Sequence, residues 1–209
     1  MSMTNWDGMG EAKFVGLKNF VDFFSDERAM HDIKTTLIFA IGSAVLLNLV
    51  GLGYAFLMNS KFRGKSIARV IYLPAIISPL IMGYIWYFLL QPGRGFLYHA
   101  FSQLGLPDPI GNWMSSYPSA LAVLVLVNVW QFAGMTMIIY LAGLQSISSD
   151  VLEAALIDGA SPWQRFAHVT LPLLMPAIRI NVVTNIIGSL SVFDVIMSLT
   201  EGGPGYSTE

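Results

Sequence analysis

Thr35-Thr36-Leu37-Ile38-Phe39-Ala40-Ile41-Gly42-Ser43-Ala44-Val45-Leu46-Leu47-Asn48-Leu49-Val50-Gly51-Leu52-Gly53-Tyr54-Ala55-Phe56-Leu57-Met58-Asn59-Ser60 holds no formal charge. A helix needs about 20 mostly apolar residues to cross the hydrocarbon core of a bilayer. This run exceeds that, and buried helices of soluble cores rarely go so far without a charge. Residues 70–93 form a second charge-free run. Residues 109–149 form a third, densest in apolar residues at about 119–144. A fourth, about 173–199, contains Arg179 and Asp194, each close enough to one end to snorkel toward water. Four membrane helices are expected, at about 35–60, 70–93, 119–144 and 173–199.

Composition agrees. Of 209 residues, 55% are hydrophobic and 11% charged, where a soluble domain carries about 25% charged. Mean hydropathy is +0.62. A disordered chain, a nucleic-acid binder and a soluble enzyme of ordinary surface are excluded. With no Cys there is no disulfide, thiolate catalyst or Cys-zinc site. The three His are scattered and give no helix-spaced metal pair. The net charge of −2 says nothing about partners.

Residues 1–34 do not read as a cleavable signal peptide. Trp6, Asp7, Glu11, Lys13 and Lys18 stand where its apolar region would be. Phe20, Val21, Phe23 and Phe24 lie between charges, which suits a helix in the membrane interface. Residues 1–34 are thus expected as an external interfacial segment, and residues 35–209 as the membrane domain. Loop charge sets the orientation. Residues 61–69 hold Lys61, Arg63, Lys65 and Arg69 with no acid, and should be cytoplasmic. Residues 92–118, with only Arg94 and Asp108 and with the interfacial aromatics Trp113 and Tyr117, should be outside. The loop at about 145–172 is then cytoplasmic, and both chain ends are outside. Its own bias is weak, with Arg165 and His168 against Asp150, Glu153 and Asp158.

That loop is written as structure. Asp150 reads as an N-cap with Glu153 three residues on, a variant of the capping box. Residues 153–158 are good helix sequence, and Gly159 fits the left-handed position that stops a helix. Ser161-Pro162 gives a second N-cap with Pro at the first helical position. Residues 163–170 can form a second short helix. Leu171-Pro172 and Pro176 mark the start of the fourth span, where helix breaks are tolerated. A passive linker needs none of this.

Glu153-Ala154-Ala155-Leu156-Ile157-Asp158-Gly159-Ala160-Ser161-Pro162-Trp163-Gln164-Arg165-Phe166-Ala167-His168-Val169-Thr170-Leu171-Pro172 resembles the EAA loop of ABC-importer permeases. The likeness is to the carbohydrate-uptake, maltose-type branch. Phe14-Val15-Gly16-Leu17-Lys18-Asn19-Phe20 is similar to the segment after that family's first helix. Leu141-Ala142-Gly143-Leu144-Gln145-Ser146-Ile147 is similar to its run into the EAA loop. Leu199-Thr200-Glu201-Gly202-Gly203-Pro204-Gly205 is similar to its outer turn. The resemblance implies an all-α integral membrane protein with a MetI-like permease core. It also implies one more helix before Trp6 and one after the Gly-Gly-Pro turn, so that the chain is expected to be a fragment.

A mechanism is implied as well. The first short helix of the loop would sit in a groove on a cytoplasmic ATP-binding subunit. Closure of two such subunits on ATP would rock the permease between its two openings. Glu153 and Asp158 would make contacts there, Ala154 and Ala155 would let the helix seat closely, Gly159 would permit the turn, and Arg165 belongs to the same coupling loop. The plainer reading of Glu153 is a helix-capping acid. No Gly-x-x-x-x-Gly-Lys-Ser/Thr is present, so ATP and Mg belong to a partner and this chain is expected to bind no cofactor. The implied partners are a second permease, ATP-binding subunits, an extracellular or periplasmic solute-binding protein and membrane lipid, without nucleic acid. The implied place is the cell (inner) membrane. There is no His-Glu-x-x-His and no pair of intramembrane carboxylates, so an enzyme is not expected.

Polar residues inside membrane helices tend to face a cavity or the bundle interior. Asn181, Asn185 and Ser189 recur at i, i+4 and i+8, with Gly188 beside them. Asn128 and Gln131 share a face with Met135, flanked by Trp130 and Phe132. Amides, hydroxyls and aromatic rings are what bind sugars. The maltose-type resemblance places substrate contacts at Trp130, Phe132, Met135, Asn185 and Ser189, although a small residue and a Tyr are common where Phe132 and Met135 stand. The plainer reading is helix–helix hydrogen bonding. Asp194 admits an ion-site reading, and the resemblance favours a structural one. Trp86, Tyr84 and Tyr87 read as interfacial or packing aromatics. Pro74 and Pro79 read as kinks in the second span. The 61–69 cluster reads as a topology signal with anionic-lipid contact. The leading function is the permease of an ABC sugar importer. A polyol, glycerol-phosphate or amino-acid cargo is an alternative. A stand-alone secondary transporter would need an ion site and an internal repeat, and a membrane enzyme a catalytic constellation.

Overall fold

A computed structural model describes residues 2–6, 9, 13–60, 70, 73–106, 111, 113–203 and 208. The chain is helical, and among the described residues the extended pairing is one isolated bridge, Thr4 to Phe14. The basic cluster 61–69, Asp108 and the Pro204-Gly205 part of the outer turn lie outside the described residues.

Helix α1 (Lys18–Ser25) buries nothing. Its Phe20, Val21 and Phe24 all lie open at the surface. Helix α2 (Glu27–Asn59) begins eight residues before the charge-free run. The Asp26 side chain accepts from the Arg28 amide at 2.9 Å and starts the helix there, so a cap rather than the hydrophobic boundary sets the end. At 1.5 Å per residue, its 33 residues span about 50 Å. The central helix is α6 (Tyr117–Gln145), where Leu124, Ala133, Met137 and Tyr140 are at most 1% exposed.

Small residues let α6 be approached closely, the usual device where lipid removes any hydrophobic drive for helices to associate. Gly51 of α2 sits against Thr136, where an added Cβ would lie 2.6 Å from Thr136 Cγ2. Gly143 of α6 sits against Ala177 and Leu174. Two apolar clusters result. Phe39, Leu47, Leu121 and Leu124 pack with Leu90, Trp113, Val195 and Leu199 toward one end. Ala55, Met58, Met137, Tyr140, Leu144, Leu174 and Ala177 pack toward the other. Ile41, Leu49, Leu126 and Val183 point outward, as lipid-facing positions should.

Among the described residues, three helices are long and apolar enough to cross a membrane. The second expected span is broken. Helix α3 (Leu73–Ile76) ends at Ile77, and α4 (Pro79–Leu90) restarts after Ser78, whose ψ of 132° is extended. A kink at Pro79 was expected. Proline also forces the residue before it out of the α region, and here that ends the helix. Helix α4 has 12 residues, about 18 Å, too few to cross alone. Helix α5 (Phe96–Gln103) follows outside the spans.

The fourth span is displaced. It runs unbroken from Pro162 to Leu190, as α8 (Pro162–Arg165), a π turn (Phe166–Thr170) and α9 (Leu171–Leu190). The chain leaves helical geometry at Ser191 and resumes in α10 (Asp194–Leu199). Leu171-Pro172 does not break it. The ring of Pro172 would meet the carbonyl four residues back, and the π turn lies over that stretch, widening the helix where the clash would fall. Helix α7 (Ser149–Ile157) fills the loop between the third and fourth spans.

Candidate functional site

The loop folds as two capped helices around Gly159. Ser148, not Asp150, caps α7, accepting from the Asp150 amide at 3.2 Å. The expected Asp150–Glu153 capping box is therefore absent, because the helix starts one residue before Asp150 and Glu153 falls in its second turn. At the other end the Ala160 amide bonds Ala155 O at 3.1 Å and the Gly159 amide bonds Leu156 O at 3.0 Å. This is a Schellman closure with Gly159 at φ +74°. Ser161 then starts α8 with a full capping box. Gln164 N donates to Ser161 Oγ at 3.3 Å, and Ser161 N donates to Gln164 Oε1 at 2.8 Å.

Glu153, Ala154, Asp158 and Gly159 are exposed, while Ala155 faces inward at 9% exposure. Arg165 is half-buried, its Nε without a hydrogen-bond partner among the described residues. The outward apolar side chains are Val151, Leu156, Ile157 and Trp163, with Ile157 86% exposed. Trp163 packs on Phe166, which reaches Phe56 of α2 edge-on at 5.6 Å. The turn is thus braced against the first span.

A cavity of about 370 Å³ opens where the second and fourth spans break. Phe132, Met135, Asn185 and Ser189 line it, as do Asn128, Asn181 and Gly188. Trp130 does not; it lies 43% exposed and edge-on to Trp86 at 5.2 Å. Gln131 also turns away, donating through Nε2 to Ile77 O at 3.3 Å. That bond satisfies a carbonyl at the break in the second span. Asn181 Nδ2 donates to Thr136 O at 3.2 Å, and Thr136 Oγ1 to Asn185 Oδ1 at 3.3 Å. Tyr140 OH donates to Asn48 Oδ1, tying α6 to α2. Asn128 Oδ1 and Asn185 Nδ2 are buried with no hydrogen-bond partner among the described residues.

Thr136 and Thr184 line the cavity and were not singled out in the sequence. Thr136 carried a usable signal, since Asn128, Phe132 and Thr136 stand at i, i+4 and i+8. Among the described residues no three His, Asp or Glu cluster to hold a metal.

Long apolar helices, a cavity with a polar stripe at two helix breaks and a structured turn hung between two spans suit a membrane transport component. The chain belongs to the family of binding-protein-dependent transport system inner membrane components, whose model matches residues 47–208. It is 36% identical to the probable starch degradation products transport system permease protein AmyD of Thermoanaerobacterium thermosulfurigenes, over all of this chain and 70% of that one. It is 36% identical to the trehalose/maltose transport system permease protein MalF of Thermococcus litoralis, over 95% of this chain and 67% of that one. It is 35% identical to the sn-glycerol-3-phosphate transport system permease protein UgpA of Yersinia pestis, over 94% and 66%. A crystal structure of a bacterial alginate ABC transporter, in complex with an alginate pentasaccharide-bound periplasmic protein, superposes with TM-score 0.79 at 28% identity. The match covers 92% of this chain and 67% of that chain.

Proposed function

We propose that this chain is a permease subunit of an ATP-driven sugar importer. With a second permease it forms the path for a sugar handed over by a solute-binding protein. Both ends of the chain lie outside, and the α7–Gly159–α8 turn is cytoplasmic. That turn seats in a groove of an ATP-binding subunit, which holds the ATP and Mg. Glu153, Ala154 and Asp158, exposed on the turn, touch the groove. Ala155, facing inward, seats α7 against its own chain, and Arg165 supports the turn from beneath. Asn185 and Ser189 hydrogen-bond the solute, with Phe132 and Met135 as the apolar wall. Trp130 contributes through its packing on Trp86.

The observation that carries the reading is the continuity of one helix from the turn, at Pro162, to the cavity, at Ser189. A displacement of the turn is delivered to the polar stripe without an intervening loop. The AmyD and MalF relatives support a sugar as cargo. A glycerol-phosphate cargo is the second reading, supported by the UgpA relative.

Reconstitution of the full transporter with its binding protein tests this. ATPase activity should rise with a sugar from a panel of sugars and polyols. Glu153→Ala should weaken co-purification of the ATPase. Asn185→Ala should raise the solute concentration needed roughly fivefold, the loss of about one hydrogen bond. Failure to bind any ATPase, with wild type and Glu153→Ala alike, would sink the permease mechanism. No stimulation by any carbohydrate would remove the cargo.

A further inference from the structure

Helices α2 and α9 leave a groove between them that shares no lining residue with the polar cavity. On α2, Leu37, Ile41, Val45 and Leu49 recur every four residues along one wall. On α9, Val182, Ile186 and Leu190 recur in the same way along the other. Each of these side chains is exposed. Between the walls lie Ala40 and Ala44, 2% and 5% exposed, whose single methyl groups keep the floor low. Among the described lining residues Asn48 alone is polar, and both ends of its amide are engaged. Its Nδ2 donates to Ala44 O at 2.7 Å, and its Oδ1 accepts from Tyr140 OH. Water finds no free partner in such a slot, and an empty one forfeits contact along both walls. An apolar group fills it.

Its dimensions choose which. Leu37 to Leu49 is a run of about 18 Å and Val182 to Leu190 one of about 12 Å. A volume of about 360 Å³ over those lengths has a mean cross-section of about 20–30 Å². An α-helix is about 10–12 Å across and needs about 80–110 Å². It would rest on the rims and leave the floor empty, and to span the bilayer it needs a seat of about 30 Å. A methylene chain, with carbon contacts of about 3.5–4.0 Å, needs roughly 20 Å². The length agrees as well, since one leaflet's hydrocarbon is about 15 Å deep. The groove starts at Leu37, close to the beginning of the charge-free run at Thr35, so its mouth lies at the membrane boundary. Lys34, exposed and the last charge before that run, stands one turn before Leu37 on the same face of α2. An ammonium at that depth reaches lipid phosphates.

We infer that the α2–α9 groove is a phospholipid site, with one acyl chain between the two walls and the headgroup phosphate at Lys34. The lipid belongs to the leaflet at the Lys34 end. In a bilayer the chain gains no hydrophobic drive, so its preference for the groove is one of packing. The α9 wall stands about 100° round the helix from the Asn181, Asn185 and Ser189 stripe, so the chain braces that helix from the lipid side. The site follows from the fold alone and holds whatever the cavity carries.

The test uses the complete transporter in phosphatidylcholine nanodiscs doped with a phosphatidylglycerol that carries a diazirine on one acyl chain. Light fixes the chain to what it touches, and mass spectrometry of the peptides locates it. Adducts should concentrate on residues 37–49 and 182–190, roughly fivefold above those at the equally open Leu126 of α6. Ala44→Leu raises the floor and should bring adducts on both helices down to the Leu126 level. Ile186→Ala lowers one wall at an exposed position and should reduce adducts on both helices about twofold. It decides the question if the first variant does not assemble. A diacylglycerol with the same diazirine chain and no phosphate should label wild type roughly threefold less, and the two probes should label Lys34→Gln alike. Adducts spread evenly along the spans and indifferent to both groove variants mean bulk lipid only and overturn the site. No adducts on either helix, with adducts elsewhere on the chain, mean that a protein helix covers the groove and overturn it too. Equal labelling of wild type by the two probes overturns the phosphate contact.

Discussion

Gly51 and Gly53 lie two residues apart on α2 and should respond to alanine with opposite signs. A Cβ on Gly51 would stand 2.6 Å from Thr136 Cγ2, 2.8 Å from Thr136 Cβ and 3.2 Å from Met137 N. Ordinary carbon contacts are about 3.5–4.0 Å, so the overlap is roughly 1 Å. Thr136 cannot step aside. It is 2% exposed, stiff at χ1, and its hydroxyl and carbonyl hold Asn185 and Asn181. Overpacking of this kind costs about 1–3 kcal/mol. Helix propensity returns up to about 1 kcal/mol, so a net loss of about 1–2 kcal/mol is expected for Gly51→Ala. Nothing lies within 4 Å of a Cβ on Gly53, so Gly53→Ala should gain about 0.5–1 kcal/mol. At about 2–4 °C per kcal/mol for a chain this long, thermal unfolding in one detergent should show Tm falling by roughly 2–8 °C for Gly51→Ala. It should rise slightly for Gly53→Ala. Thr136→Ser removes the nearest atom and should restore part of the loss in the double variant. Gly51→Ala at or above wild-type stability, or a Thr136→Ser background with no restoration, would refute the packing argument.

Two further outcomes follow from local geometry. Gly159→Ala places a side chain at φ +74° and should cost about 1–2 kcal/mol. Amide exchange across residues 149–165 should quicken roughly tenfold while α6 stays protected. Trp113→Phe removes the bond from the buried Nε1 to Leu90 O at 2.8 Å and leaves the last carbonyl of α4 unpaired. A loss of about 1–3 kcal/mol should appear as a lower Tm, and an unchanged Tm would show that lipid or water satisfies that carbonyl.

The membrane helices could be read in the sequence because lipid enforces one rule on every residue of a span, and residues 35–60 obey it without exception. The turn could be read at Gly159 and Ser161 because each signals locally, one by its backbone freedom and the other by its cap. The second span could not. Pro79 allows either a kink or a break, and what stabilises the break is Gln131, more than fifty residues away, donating to Ile77 O. Ser148 and Asp150 are both good caps, and their order in the chain does not choose between them. In the cavity, the Asn181–Ser189 stripe follows from helical spacing alone. Trp130 shows the limit, since neighbouring aromatics on α6 point to different sides and only packing decides which one meets Trp86.

The unbroken helix from Pro162 to Leu190 has a mechanical meaning. From Gln164 to Ser189 it is 26 residues, a rod of about 37 Å. A rod transmits tilt in proportion to its length. If the far end pivots, a ten-degree swing moves the turn by roughly 6 Å over that length, while the residues near the pivot scarcely shift. The three residues at Ser191–Phe193 that leave the helix are where such a pivot would sit. Such a rod would act as a lever of unequal arms, turning a large stroke at the Gly159 turn into a small, forceful rotation of the asparagines at the cavity.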